Sequence, residues 1–392
     1  MAQAVRAFAY GLCAVLVGST LSARGFSGTE VGLVLAAVVT GTVLAQLAVA
    51  RWADRWGRRK MYMALYAALG LVGIVFALAP PLWAMVAVAL TGALSTEVVE
   101  SGPFTSLEQS MLAGQFGNWQ LAKGFGIYNA VATAAGSLGA LAADLPALVR
   151  QAWEGAPADE SWFALLAVAS VAGVLVASTL SDRVEAGPRS SVAPSGLGRS
   201  KSVVRRLSGL FALDAFAGGF VIQAFIAYWL SSHFGATLGQ LAVLFFALGI
   251  LQTVSFLVAP LLARRFGLLN TMVFTHLPSN LLLAAVAFAP TLGAAVALLV
   301  ARTALSQMDV PTRQAYVMAL VEPEERTAAA AYTNTARYVV RPVGPVLAGA
   351  AQAFAAGVPF LVAGGLKSVY DLVLWRWFRG VEIDEPARHR RT

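Results

Sequence analysis

Between two long apolar runs stands Ala50-Arg51-Trp52-Ala53-Asp54-Arg55-Trp56-Gly57-Arg58-Arg59-Lys60, with five cations and one acid in eleven residues. Hydrocarbon cannot solvate such a segment, so it reads as a short water-facing turn between two membrane helices. Its excess of Arg and Lys sets it on the cytoplasmic side. The rest of the chain can be counted outward from that point.

Only 12% of the 392 residues are charged and 58% are hydrophobic, with a mean hydropathy of +0.71. A soluble domain carries roughly 25% charged residues, so lipid is the solvent for this chain. One cysteine, Cys13, excludes a disulfide framework and a cysteine-based zinc site. A net charge of +8 would suggest nucleic acid in a soluble protein. Here the cations stand at the ends of apolar spans and act as topology signals, so no nucleic-acid partner is expected, and no metal or cofactor either. The first apolar run, 7–21, lacks a cleavable-signal pattern and reads as a span that stays.

Crossing the hydrocarbon core takes about 20 apolar residues. On that measure spans fall near 7–24, 29–50, 61–79, 82–101, 118–143 and 161–181, then near 208–231, 238–262, 270–289, 291–320, 325–356 and 359–378. Arg and Lys crowd one side of these twelve: loop 2–3, Arg264 and Arg265 in loop 8–9, the central segment and the tail. Arg24 and Arg150 lie on the other side with Glu30, Asp144, Glu154, Asp159 and Glu160. Both termini are therefore expected in the cytoplasm, with the protein in the inner (plasma) membrane. The polar stretch 182–202, rich in Pro, Gly, Ser and Arg, reads as a flexible linker. It divides the chain into a six-helix bundle at 1–181, a linker at 182–207, a second bundle at 208–379 and a basic tail at 380–392.

The halves carry a faint repeat. An ungapped offset of 205 pairs Gln109 with Gln314, Asn129 with Asn334, and Gly139 with Gly344. It also sets Glu97 against Arg302 and Glu108 against Arg313. Ala263-Arg264-Arg265-Phe266-Gly267 is a degenerate echo of the loop 2–3 segment.

The pattern small-x-x-x-Asp-Arg-x-Gly-Arg-Arg-Lys at Ala50 to Lys60, after two apolar spans, resembles the loop 2–3 signature of the major facilitator superfamily of secondary transporters, with Ala50 where Gly is usual. The cytoplasmic linker after span six is similar to that family's layout. So are Gly102-Pro103-Phe104, Val310-Pro311-Thr312-Arg313-Gln314 and Leu366-Lys367-Ser368-Val369-Tyr370-Asp371, which look like an uncharacterised bacterial branch of it. The resemblance implies an all-α integral membrane protein of twelve transmembrane helices in two pseudo-symmetric six-helix bundles, active as a monomer. It implies a gating role for Asp54, Arg55, Gly57 and Arg58, and a central cavity lined by spans one, four, seven and ten. The span-five segment Gly136-Ser137-Leu138-Gly139 lacks the Pro of the family's drug antiporters, which weakens that reading.

Charges inside spans are costly and mark function. Glu97 and Glu108 share a face of span four if it stays helical, although Gly102-Pro103 interrupts it. Arg302 and Arg313 repeat that spacing on span ten, with Asp309 between them. On the family layout, Glu97–Arg302 would lie near mid-membrane and Glu108–Arg313 would close the cytoplasmic end of an outward-open state. Permanent structural pairing is the plainer alternative. Glu100 or Asp214, read as lone carboxylates, are the candidate proton carriers. Asn334, Arg337 and Arg341 share a face of span eleven and would take an anion or pair with the span-four acids. Lys367 and Asp371 read as a self-neutralising i,i+4 pair.

Together these imply a secondary transporter moving a small solute by alternating access, with proton-coupled efflux (antiport) expected. A proton-coupled importer or exchanger of an organic anion is the alternative, and a non-transporting membrane sensor is less expected because it would leave the costly charges inside the spans unexplained. An enzyme is not expected: the three histidines, His233, His276 and His389, are scattered, and there is no Gly-x-Ser-x-Gly elbow or phosphate loop.

Overall fold

The computed structural model describes residues 2–78, 81–95, 102–105, 107–108, 118–153, 155–181, 198–321 and 325–381. Among these, every regular element is helical. The first half comprises α1 (Ala2–Ala23), α2 (Gly28–Trp56), α3 (Arg58–Ala77), α4 (Leu82–Ala89), α5 (Asn118–Ala142) and α6 (Leu145–Ala152). A 3-10 turn (Asp159–Ala164) then runs into α7 (Leu165–Ser178). The second half comprises α8 (Lys201–Gly219), α9 (Gln223–Phe234), α10 (Leu238–Phe266), α11 (Leu268–Val286), α12 (Leu292–Ser306), α13 (Asp309–Leu320), α14 (Arg326–Val340), α15 (Val343–Gln352) and α16 (Val358–Phe378).

Nine helical stretches among the described residues are long and apolar enough to cross a membrane. The expected spans four, ten and eleven are broken instead, and the reasons are local. Gly92 and Gly102 adopt positive φ in span four (71° and 120°). Span ten stops at Ser306 and restarts at Asp309; Pro311 supplies no amide for a continuing helix and is tolerated in a first turn. Span eleven breaks at Arg341-Pro342 for the same reason. Span seven also divides, with Phe220 to Ile222 separating α8 from α9 after Gly218-Gly219.

Two expected boundaries need correction. The cationic segment at 50–60 is a turn at one residue only. The α2 helix continues to Trp56, Gly57 turns the chain at φ 94°, and α3 starts at Arg58. Ala-rich, Arg-rich sequence favours helix strongly enough to carry α2 past its apolar end. Likewise Lys201 to Leu207, expected as linker, forms the first turns of α8.

The internal repeat is present in three dimensions, with a corrected register. Both α2 and α10 are 29 residues long, begin with a capping box (Ser27 with Glu30, Thr237 with Gln240) and end at a positive-φ glycine. These pairs, Ser27/Thr237 and Gly57/Gly267, stand 210 apart. The Thr42 hydroxyl donates to the Leu94 carbonyl and the Ser255 hydroxyl to the Ala304 carbonyl, so α2 and α10 each tie to the fourth span of their half. Only later does the offset fall to 205, where Gly139 backs onto α1 as Gly344 backs onto α8. Extra residues in the first half account for the slip. Glu97, which the sequence offset sets against Arg302, lies outside the described residues.

The two halves touch through α1 with α9, α2 with α15, and α5 with α10. The α2–α15 contact lies at the end remote from the chain termini and is backbone to backbone: a Cβ on Gly32 would come within 2.5 Å of the Pro345 carbonyl, and one on Gly349 would fall on Gly28. Small residues allow this approach where lipid provides no hydrophobic drive between helices.

Candidate functional site

A cavity of about 280 Å³ lies between the halves. Of its described lining, the first half contributes Thr133, Gly136, Ser137 and Ala140, all on α5 and all small and uncharged. The second half contributes every ionisable group: Asp214 on α8, His276 on α11, Arg302 on α12, Asp309 and Arg313 on α13, Arg337 on α14, Arg341 at the span-eleven break, and Lys367 on α16. Six of these eight groups come from the broken spans seven, ten and eleven, whose freed backbone only protein or a polar cavity can satisfy, while His276 and Lys367 stand on unbroken helices.

Asp214 is not the lone carboxylate expected. The Lys367 ammonium donates to its Oδ1 at 2.5 Å and the Arg313 guanidinium to its Oδ2 at 3.5 Å. Arg313 also reaches Asp309, one turn away on its own helix, at 2.9 Å. The expected Lys367–Asp371 pair is likewise absent. Asp371, fully buried, takes the His276 Nδ1 at 3.0 Å and the Asn280 amide at 2.8 Å. Asp214 and Gln223, on opposite faces of an unbroken helix, both line the cavity because the chain bends between them.

Glu108 and Arg313 do not meet. Glu108 is enclosed in the first half, where Arg6 donates to its Oε2 at 2.6 Å and the hydroxyls of Tyr62 and Tyr128 donate to its two oxygens. The Arg6 guanidinium also stacks 5.1 Å from the Phe104 ring centroid and 5.4 Å from that of Tyr10. This cage draws on α1, α3, α5 and the helical turn at 103–105.

The other sequence candidates divide. Arg302, Arg337, Arg341 and Asp309 come together in the cavity. Asn334 is exposed on α14, outside the lining. Glu97 and Glu100 lie outside the described residues, as does the Asp54 side chain. Near the turn at Gly57, Arg55 is exposed and Arg58 half-buried, while Arg59 donates to the Leu180 carbonyl at 3.1 Å, just past the end of α7. His276 and Arg6 escaped the sequence reading. His276 shares a helix face with Asn280 four residues on, a polar pair in an apolar run, and that was its available signal. Arg6 stands just before the first apolar run and read as a flank.

Outside the membrane, Glu325 at the start of α14 accepts hydrogen bonds from the Gly198 and Ser200 amides at 2.8 and 3.0 Å. Hydrogen bonds from Ser200, then those from the neighbouring backbone, hold its carboxyl below the usual glutamate value.

Residues 1–345 match the family model of the Major Facilitator Superfamily. The chain belongs to this superfamily. It is 24% identical over 416 residues to the uncharacterized membrane protein YJR124C of Saccharomyces cerevisiae, covering 96% of this chain and 92% of that one. The fold is similar to that of a bacterial homolog of the human lysosomal transporter Spinster (TM-score 0.74, 16% identity, 98% and 97% of the two chains). It is also similar to the nucleoside transporter NupG (TM-score 0.73, 14% identity, 96% and 97%). This major facilitator protein thus has the twelve-helix, two-bundle architecture expected, and it is a membrane transporter rather than an enzyme.

Proposed function

We propose that the protein carries a small organic anion across the inner membrane by alternating access, coupled to protons, with both termini in the cytoplasm. The observation that carries this reading is Arg302. Its Nε is buried against the cavity with no hydrogen-bond partner, and Arg302 forms no ion pair among the described residues. Asp214 and Asp309 attract it from beyond contact distance, and a guanidinium held in low dielectric without a directly bound counter-charge is costly; its planar fork fits a carboxylate or phosphate. The two acids in the described lining, Asp214 and Asp309, are already engaged by Lys367 and Arg313. A lipophilic cation would meet a wall rich in Arg, so drug efflux has less support than anion transport.

The contact between Gly32 and Gly349 closes the end remote from the termini, which supports a cavity reached from the cytoplasm in this conformation. The test is a thermal-shift screen of purified protein with mono- and dicarboxylates, organic phosphates and lipophilic cations. Stabilisation by an anion class that is lost in Arg302→Gln and Arg341→Gln is expected. Stabilisation by cations alone, unchanged in both variants, would overturn the reading.

A further inference from the structure

We propose that His276 is the group that takes up and releases the coupling proton, with Asp371 and Asn280 as its positioning residues. The proposal rests on the proton-coupled reading above and is independent of which solute is carried.

The imidazole stands between two environments. On one side Asp371, with no exposed surface, faces Nδ1 at 3.0 Å, while on the other the ring borders the cavity. The Asn280 amide donates to the second Asp371 oxygen at 2.8 Å and also stands 3.2 Å from Nδ1; with Nδ1–H directed to the Asp371 carboxylate, Nε2 is the atom left to exchange. Uptake forms an N–H bond at Nε2 from a water-borne proton and makes the ring cationic; release returns that proton to water. The cavity carboxylates are less suited, because Asp214 and Asp309 are each held by a permanent or near-permanent cation. Histidine alone among these side chains has an unperturbed pKa near physiological pH.

The surroundings connect that charge to movement. Facing the ring are Asp371, Lys367 and Tyr370 on α16, Asp214 on α8, and Asp309 and Arg313 on α13; α12, packed against α11, brings Arg302 to the same cavity, and the Arg pair of α10 stands in that helix's last turn. Lys367 lies one turn before Asp371. While the imidazolium neutralises Asp371, Lys367 remains with Asp214 and ties α16 to α8. Once the proton leaves, the Asp371 carboxylate competes for Lys367, and the tie to α8 loosens beside the break at Phe220 to Ile222. The i,i+4 pair legible in the sequence is then the deprotonated arrangement.

The chain has three histidines, so replacing His233 and His389 with Asn leaves His276 as the sole imidazole NMR reporter in detergent-solubilised protein. We expect it to titrate reversibly over about pH 5–8, with Asp371→Asn moving or abolishing the titration. A ring locked in one protonation state throughout, or a titration indifferent to Asp371→Asn, would overturn the proposal. A second readout follows conformation: maleimide labelling of Val310→Cys in a Cys13→Ala background, divided at each pH by the rate for the same thiol in denatured protein to remove the thiolate's own pH dependence, should vary with pH over the same range and lose that variation in His276→Gln and His276→Asn. Its persistence in a monodisperse variant would also overturn the proposal. Neither readout uses a solute, so a failed anion screen leaves both interpretable, and a flat titration leaves the anion screen standing.

Discussion

Lys367 and Asp214, 153 residues apart, meet at 2.5 Å in the interior of the second half. The contact joins the last helix to the first helix of that half, and Arg313 approaches the same carboxylate from a third. Removing one partner of a buried ion pair strands the other, whereas removing both can be nearly neutral. Asp214→Asn and Lys367→Met should therefore each lower the melting temperature in detergent, and the double variant should recover much of the loss. The coupling in a double-mutant cycle is expected at about 0.5–3 kcal/mol. Additive losses would show that the two side chains do not depend on each other.

The cage around Glu108 makes a different forecast. Three donors, Arg6, Tyr62 and Tyr128, converge on one buried carboxylate. Tyr62→Phe deletes a single hydrogen bond to a charged group and should cost about 1.5–3 kcal/mol. Glu108→Gln leaves the Arg6 cation without its counter-charge and should cost more. Thermal unfolding of the two variants checks the order; equal melting temperatures would contradict it.

The contact of Gly32 with Pro345 and Gly349 leaves no room for a side chain. Gly349→Leu should wedge the halves apart at the end remote from the termini and shift the resting population towards the opposite opening. Cysteine accessibility on either face of the membrane, measured in vesicles of known orientation, reports this directly. Unchanged accessibility would mean that the two halves do not pivot against this contact.

The Glu325 clip predicts a pH effect. Hydrogen bonds from Ser200 and its neighbours depress the Glu325 pKa in the folded state. Its contribution is thus fully present above the unfolded value of about 4.3 and disappears as pH falls through the lower folded value. Hydrogen exchange at the Gly198 and Ser200 amides should be slow near neutrality, and faster in Glu325→Gln at the same pH. Equal exchange in the two proteins would dismiss the clip.

What could be read in advance follows from how local each signal is. The capped, glycine-terminated helix ending at Gly57 and its echo at Gly267 are written in consecutive residues, and so are most span positions. The partners of Asp214, Glu108 and Asp371 are not, because each lies on another helix, from 20 residues away (Tyr128 with Glu108) to 153 (Lys367 with Asp214). An i,i+4 rule favoured Lys367 with Asp371, yet tertiary packing sent the two side chains to different neighbours. No single ungapped offset serves the whole repeat, because the halves differ in length between Gly57 and Gly139, where composition is too uniform to reveal an insertion. His276 was passed over because one imidazole in an apolar run has no significance until the buried carboxylate behind it is known.

Of the described lining, the first half presents Thr133, Gly136, Ser137 and Ala140 to the cavity, while the charges among those residues belong to the second. Cargo gripped by guanidinium groups would be a passenger of one bundle alone. The α5 face of the other bundle would then behave as a smooth shutter sliding past it, and changing what is carried would call first for alterations on the opposite wall.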